Sequence, residues 1–107
     1  MAANTPRMTI PTQLVLQALL VEPDQERYGL EIGALAGLAS GTVHPILARL
    51  ESVGWLRSHW EDADPAAAGR PLRRYYSLTA HGAAAARSAL AAARRPRAFS
   101  PGPVVTT

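Results

Sequence analysis

Three side chains in one short stretch have the types and spacing to grip a polyanion. Thr42 and His44 stand near the start of the segment running from Ser40 to Gly54, and Arg49 follows a turn or more later. The hydroxyl and the imidazole can donate or accept hydrogen bonds, and the guanidinium adds a fixed charge with paired donors. Further on, Arg70, Arg73 and Arg74 crowd into five residues, a density of cation suited to neutralising phosphate oxygens.

The segment that carries the first three groups has helical spacing. Val43, Ile46, Leu47, Leu50 and Val53 form one apolar stripe, and Thr42, His44, Pro45, Ala48, Arg49 and Ser52 lie opposite. Thr42 is the expected N-cap. That choice puts Pro45 in the first turn, where a missing N–H has no intrahelical partner to lose, whereas a cap at Ser40 would place it one turn in. Gly54 supplies the stop. Trp55 to Glu61 alternates as a strand does, Asp62 to Pro71 is turn-forming, and Leu72 to Leu78 reads as the returning strand. In that hairpin Leu56, Trp60, Tyr76 and Leu78 would face the helices, with Arg73 and Tyr75 outward.

Upstream, a helix is expected from about Thr9 to Val21, capped by Thr9 or Thr12, with Pro11 in its first turn. Leu14, Val15, Leu16, Ala18 and Leu19 supply its buried side. A second helix is expected over Tyr28 to Ala36, burying Leu30, Ile32, Leu35 and Ala36 and ending at Gly37. Its glycines at 29, 33 and 37 either permit close packing or simply weaken the helix. Thr79 can cap a last helix from Ala80 to about Arg94. That helix is nearly all alanine, and Leu90 is its only large apolar residue. This order, α-α-α-β-β-α, is an α+β winged helix-turn-helix, mostly helical with a two-stranded wing. The expected layout is a disordered N-terminus (1–8), the winged domain (9–79), a C-terminal helix suited to pairing two chains (80–94) and a proline-rich disordered tail (95–107).

Composition narrows the function. A chain of 107 residues is most simply one domain. It has no cysteine, which excludes disulfides and thiolate metal sites and fits a reducing cytoplasm. No apolar run approaches the roughly 20 residues of a membrane span. All 8 acids lie between Glu22 and Asp64. Residues 1–64 therefore carry four arginines against eight acids, a formal −4, and residues 65–107 carry seven arginines and no acid, +7. A basic half of this kind suits a polyanionic partner.

Other constellations are weaker. His44, His59 and His81 lie 15 and 22 residues apart with no tight pair, so surface or packing roles are expected and no metal. Trp55, Trp60, Tyr75 and Tyr76 fall in the expected hairpin, where packing accounts for them. No nucleophile–base pair, phosphate-binding glycine loop or supported acid pair is present, so neither catalysis nor a cofactor is expected.

The segment Gly41-Thr42-Val43-His44-Pro45, followed by Arg49-Leu50-Glu51 and Gly54-Trp55-Leu56, resembles the PadR family of bacterial transcriptional regulators. Gly69-Arg70-Pro71-Leu72-Arg73-Arg74-Tyr75-Tyr76-Ser77-Leu78-Thr79 with Gly82 resembles that family's wing, and Tyr28-Gly29 with Glu31-Ile32 its second helix. The resemblance spans about residues 9 to 82. It implies a homodimeric regulator of double-stranded DNA, usually a repressor, with Thr42, His44, Pro45 and Arg49 on the recognition helix and Arg70, Arg73 and Arg74 on the wing. Tyr75 would pack the wing or contact a phosphate. His44 stands where the family has Tyr, and the last helix is shorter than the family's usual pairing helix. Some members bind flat aromatic ligands between subunits. The competing expectation is a winged helix that binds an acidic protein as an anti-regulator.

Overall fold

A computed structural model describes residues 5–94. The elements run α1 (Ile10–Val21), β1 (Arg27–Tyr28), α2 (Gly29–Ala36), α3 (Ser40–Ser52), β2 (Leu56–Trp60), α4 (Pro65–Ala68), β3 (Arg74–Leu78) and α5 (Ala80–Arg94). Helices α1 to α3 and α5 enclose the core against one face of an antiparallel sheet ordered β1-β3-β2. The expected winged helix-turn-helix is present, with two additions. The wing hairpin gains a third strand, since Arg27 pairs with Tyr76 and Tyr28 with Tyr75. The turn-forming segment contains α4, capped by Asp64 and ended by Gly69 at φ 70°.

Local signals explain most element ends. The Thr9 hydroxyl caps α1 by accepting from the Thr12 N–H at 3.3 Å. Gly37 and Gly54 take positive φ after α2 and α3, as stops require. The start of α3 corrects the sequence reading. Its N-cap is Ala39, not Thr42, because the Ala39 carbonyl already accepts from the N–H groups of Thr42 (2.9 Å) and Val43 (3.1 Å). Pro45 therefore lies inside the helix and deprives the Gly41 carbonyl of its partner. Gly41 is exposed, so water can serve that carbonyl and the loss is small.

The core gathers Val15, Leu16, Leu19, Ile32, Val43, Ile46, Leu47, Leu50, Trp55, Leu56, Tyr76, Leu78, Ala86 and Leu90. Burying each of the large aliphatic groups contributes roughly 1.5–3 kcal/mol. Two expectations for α2 and the wing are corrected. Leu30 and Leu35 are 68% and 51% exposed, and the inner side of α2 is Gly29, Ile32 and Gly33. A Cβ at Gly33 would stand 2.8 Å from the Leu38 carbonyl oxygen and 3.4 Å from a Val43 methyl. The glycines thus let α3 and its leading turn press against α2, which leucine could not allow. Trp60 is 58% exposed and does not face the helices.

The wing is locked to α5 at one point. The Thr79 hydroxyl donates to the Gly54 carbonyl and accepts from the Gly82 N–H, both at 2.8 Å. A Cβ at Gly82 would fall 1.9 Å from the Trp55 carbonyl oxygen, so only glycine fits there. Residues 5–8 have no regular secondary structure, yet they are not loose as expected. Pro6 is buried, Met8 packs on the core, and the Met8 carbonyl accepts from the Gln13 side-chain amide at 2.7 Å. The expected tail at 95–107, like residues 1–4, lies outside the described residues.

Candidate nucleic-acid interface

Helix α3 turns about 100° per residue, so its exposed surface divides into three lanes. The centre holds Gly41, Pro45, Ala48 and Ser52, all exposed and all compact. Thr42 and Arg49, seven residues apart, form one edge. His44 and Glu51, also seven apart, form the other. Gly41 has ordinary backbone geometry, and a Cβ added there would meet nothing within 4 Å. The fold does not need glycine at that point. A bare backbone in the first turn of an exposed helix suits close approach by a partner.

The His44 edge leads to the wing. The His44 ring lies against Gly29 at the start of α2, where a Cβ would stand 2.8 Å from ring carbon Cε1. The Glu51 carboxylate accepts from the Ser58 hydroxyl of β2 and approaches Arg74 of β3 at 3.8 Å. The Arg74 guanidinium lies 5.1 Å from the Trp60 ring centre, and the Arg73 guanidinium 4.1 Å from that of Tyr28. Tyr75 packs edge-on against Tyr28 at 5.8 Å and stacks with His59 at 5.9 Å. These rings hold two guanidiniums in place while leaving donors for an incoming acceptor.

Arg70 is engaged differently. It forms a two-pronged ion pair with Glu61, at 2.7 and 2.8 Å, and Glu61 also accepts from the Arg73 N–H at 3.1 Å. The Arg70 guanidinium first, and the Arg73 N–H second, pull the Glu61 pKa down from an ordinary 4.5 to about 2. Glu61 is therefore the fastening of the wing loop. His59 of β2 bonds Glu26, ahead of β1, which is the main reason its pKa is raised.

All eight expected site residues surround α3 and the wing. Thr42, His44, Pro45 and Arg49 are exposed, Arg73, Arg74 and Tyr75 are half-buried among aromatic neighbours, and Arg70 is tied to Glu61. Two contributors were not anticipated. Gly29 positions His44, and the signal for it was the glycine spacing on α2. Arg7 lines a recess with Thr9 and Arg49, and nothing in its sequence neighbourhood marks it. Among the described residues no group of three His, Cys, Asp or Glu could hold a metal ion.

A recognition helix with a compact outer face, flanked by a cation-bearing wing, defines a winged helix-turn-helix protein. The chain belongs to the PadR-like family of transcriptional regulators, whose family model matches residues 15–88. Solved structures agree. The reduced regulator AbfR bound to DNA is 27% identical, with a TM-score of 0.59, covering 79% of this chain and 58% of that one. The PcaV transcriptional regulator of Streptomyces coelicolor, in complex with its natural ligand, is also 27% identical, with a TM-score of 0.61, covering 83% and 59%. BpsR of Bordetella bronchiseptica, at 18% identity, shares the fold with a TM-score of 0.65, covering 92% and 74%. The chain thus spans less than two thirds of the first two regulators. No curated protein matches it.

Proposed function

We propose that this chain is a sequence-specific DNA-binding repressor, acting in the cytoplasm as a homodimer and by occupancy instead of catalysis. The observation that carries this reading is the compact outer lane of α3, bordered on its Glu51 edge by the Arg74 guanidinium of the wing. The first turn of α3 enters the major groove, with Thr42 and His44 reaching base edges and Pro45 making apolar contact. Arg73 and Arg74 engage the backbone or minor groove. Arg70, fastened to Glu61, shapes the wing and offers its remaining donors. Two copies would place their α3 helices about 34–36 Å apart, one turn of duplex, and occlude a promoter.

Pairing draws on α1 as well as α5. Ile10, Leu14, Gln17 and Val21 fall on one side of α1; Leu14, expected in the core, is only half-buried and outside it, and Ile10 and Val21 are 67% and 70% exposed. That stripe supplements the alanine surface of α5, which alone buries little area per contact at roughly 25 cal/mol per Å².

Binding of fluorescent duplex DNA, followed across a salt series, tests the reading. The Arg73→Ala, Arg74→Ala double variant should weaken binding to all sequences and reduce the slope of log K against log salt by about 1.8, two phosphate contacts at roughly 0.9 each. An unchanged slope would remove the wing from the interface. Salt-insensitive or absent DNA binding by the unaltered protein would favour an acidic protein partner instead.

A further inference from the structure

The edge of α3 away from the wing ends in a feature that the wing and recognition helix do not account for. Arg7 and Arg49 line one recess of about 280 Å³, with Thr9 between them. Both arginines are exposed, and among the described residues neither forms an ion pair. Three of the other arginines, Arg27, Arg70 and Arg74, lie within 4 Å of a carboxylate. Among the described residues no carboxylate lines the recess. Two guanidiniums facing one cavity repel each other until an anion enters, and their planar donor forks match tetrahedral phosphate oxygens.

Arg7 is held at this spot. Pro6 before it is buried, and Met8 after it packs on the core and accepts from Gln13. Thr9 is fixed by its bonds to Thr12 at 3.0 and 3.3 Å and by its carbonyl, which accepts from the Gln13 N–H at 2.9 Å. Arg49 shares an edge with Thr42, so the recess borders the outer lane of α3 on the side opposite the Glu51 and Arg74 pair.

We propose that Arg7 and Arg49 form a seat for one backbone phosphate of the DNA, on the groove wall opposite the one the wing engages. The inference rests on the DNA-binding reading above and deepens it. It assigns Arg49 to a phosphate instead of a base, and it brings the segment before α1 into the interface. Recognition then becomes a straddle, with α3 in the groove and a cation cluster at each edge.

The test compares the full chain with Arg7→Ala, Arg49→Ala, the double variant, and Arg7→Lys with Arg49→Lys, on one preferred duplex and on single-base variants of it. Each alanine change should lower affinity roughly tenfold, the size of one charge-assisted contact. The double variant should lower the salt slope by about 0.9, because one phosphate is lost, and should weaken every duplex by the same factor. The lysine pair should restore most of the slope. A slope loss near 1.8 would mean two separate phosphates and would overturn the shared seat. A changed base preference in Arg49→Ala, or no effect of Arg7→Ala, would overturn it equally. If the unaltered protein binds no DNA, the underlying reading falls with it. If the protein binds and the Arg73 and Arg74 variants respond while these do not, only the seat is lost.

Discussion

His44 and Gly29 show how much a single missing methyl group decides. The His44 ring rests where a side chain at position 29 would begin, 2.8 Å from its Cβ. Gly29→Ala should push the ring away, since a ring at the end of a rotatable side chain yields more easily than backbone. The expected result is a melting temperature within a few degrees of the original, from a stability change of about 1 kcal/mol or less, together with an altered ranking of operator variants. His44→Ala should alter the same ranking. A uniform loss across operators in both variants would show that the ring does not reach bases. Residue identities along α3 were legible in the sequence because apolar spacing separates the buried stripe from the outer lanes. The seat at Arg7 was not legible, because only tertiary packing brings it beside Arg49, 42 positions away in the chain.

Among the elements, the wing hinges on Glu61. Its carboxylate accepts from the Arg70 guanidinium and the Arg73 N–H, and its own N–H donates to the Arg73 carbonyl at 2.8 Å. Its folded-state pKa is depressed, so its contribution to wing order is present above the unfolded value near 4.5 and is lost as pH falls toward about 2. Tryptophan emission should report this, because Trp60 stands beside Arg74 at the loop end of the hairpin, next to Glu61. An acid transition in that window is expected, and Glu61→Gln should remove it while weakening DNA binding near neutral pH. Persistence of the transition in Glu61→Gln would assign it to another group. The hairpin was legible from alternation and turn residues. Strand β1 was not, since two residues cannot show alternation and their partners Tyr75 and Tyr76 lie far along the chain. The exposure of Leu30 and Leu35 escaped for a related reason: ranking residues by hydrophobicity favours leucine inside, whereas the approach of α3 to α2 demanded glycine. The start of α3 was misplaced because the cost of Pro45 was assessed as though the Gly41 carbonyl were denied water.

At the scale of the whole molecule, the proposed homodimer needs a surface on which two copies can pair. The stripe of Ile10, Leu14, Gln17 and Val21 on α1 leaves apolar surface in water, and α5 buries only Gly82, Ala86 and Leu90 within its own chain. Replacing Ile10 and Val21 with Asp should shift the mass seen in sedimentation from dimer to monomer without unfolding the chain, since neither residue belongs to the core. A dimer that survives both changes would assign pairing to α5 alone. Loss of the dimer should also lower DNA affinity by two orders of magnitude or more, because linked half-sites reinforce each other roughly 10²–10⁴-fold.

Selection of bound sites from random duplex DNA by the unaltered protein tests the central claim most directly. The account predicts a recovered site made of two inverted half-sites whose centres lie about 10–10.5 base pairs apart, one helical turn. Recovery of no preferred sequence, or of a single half-site without its inverted partner, would contradict it.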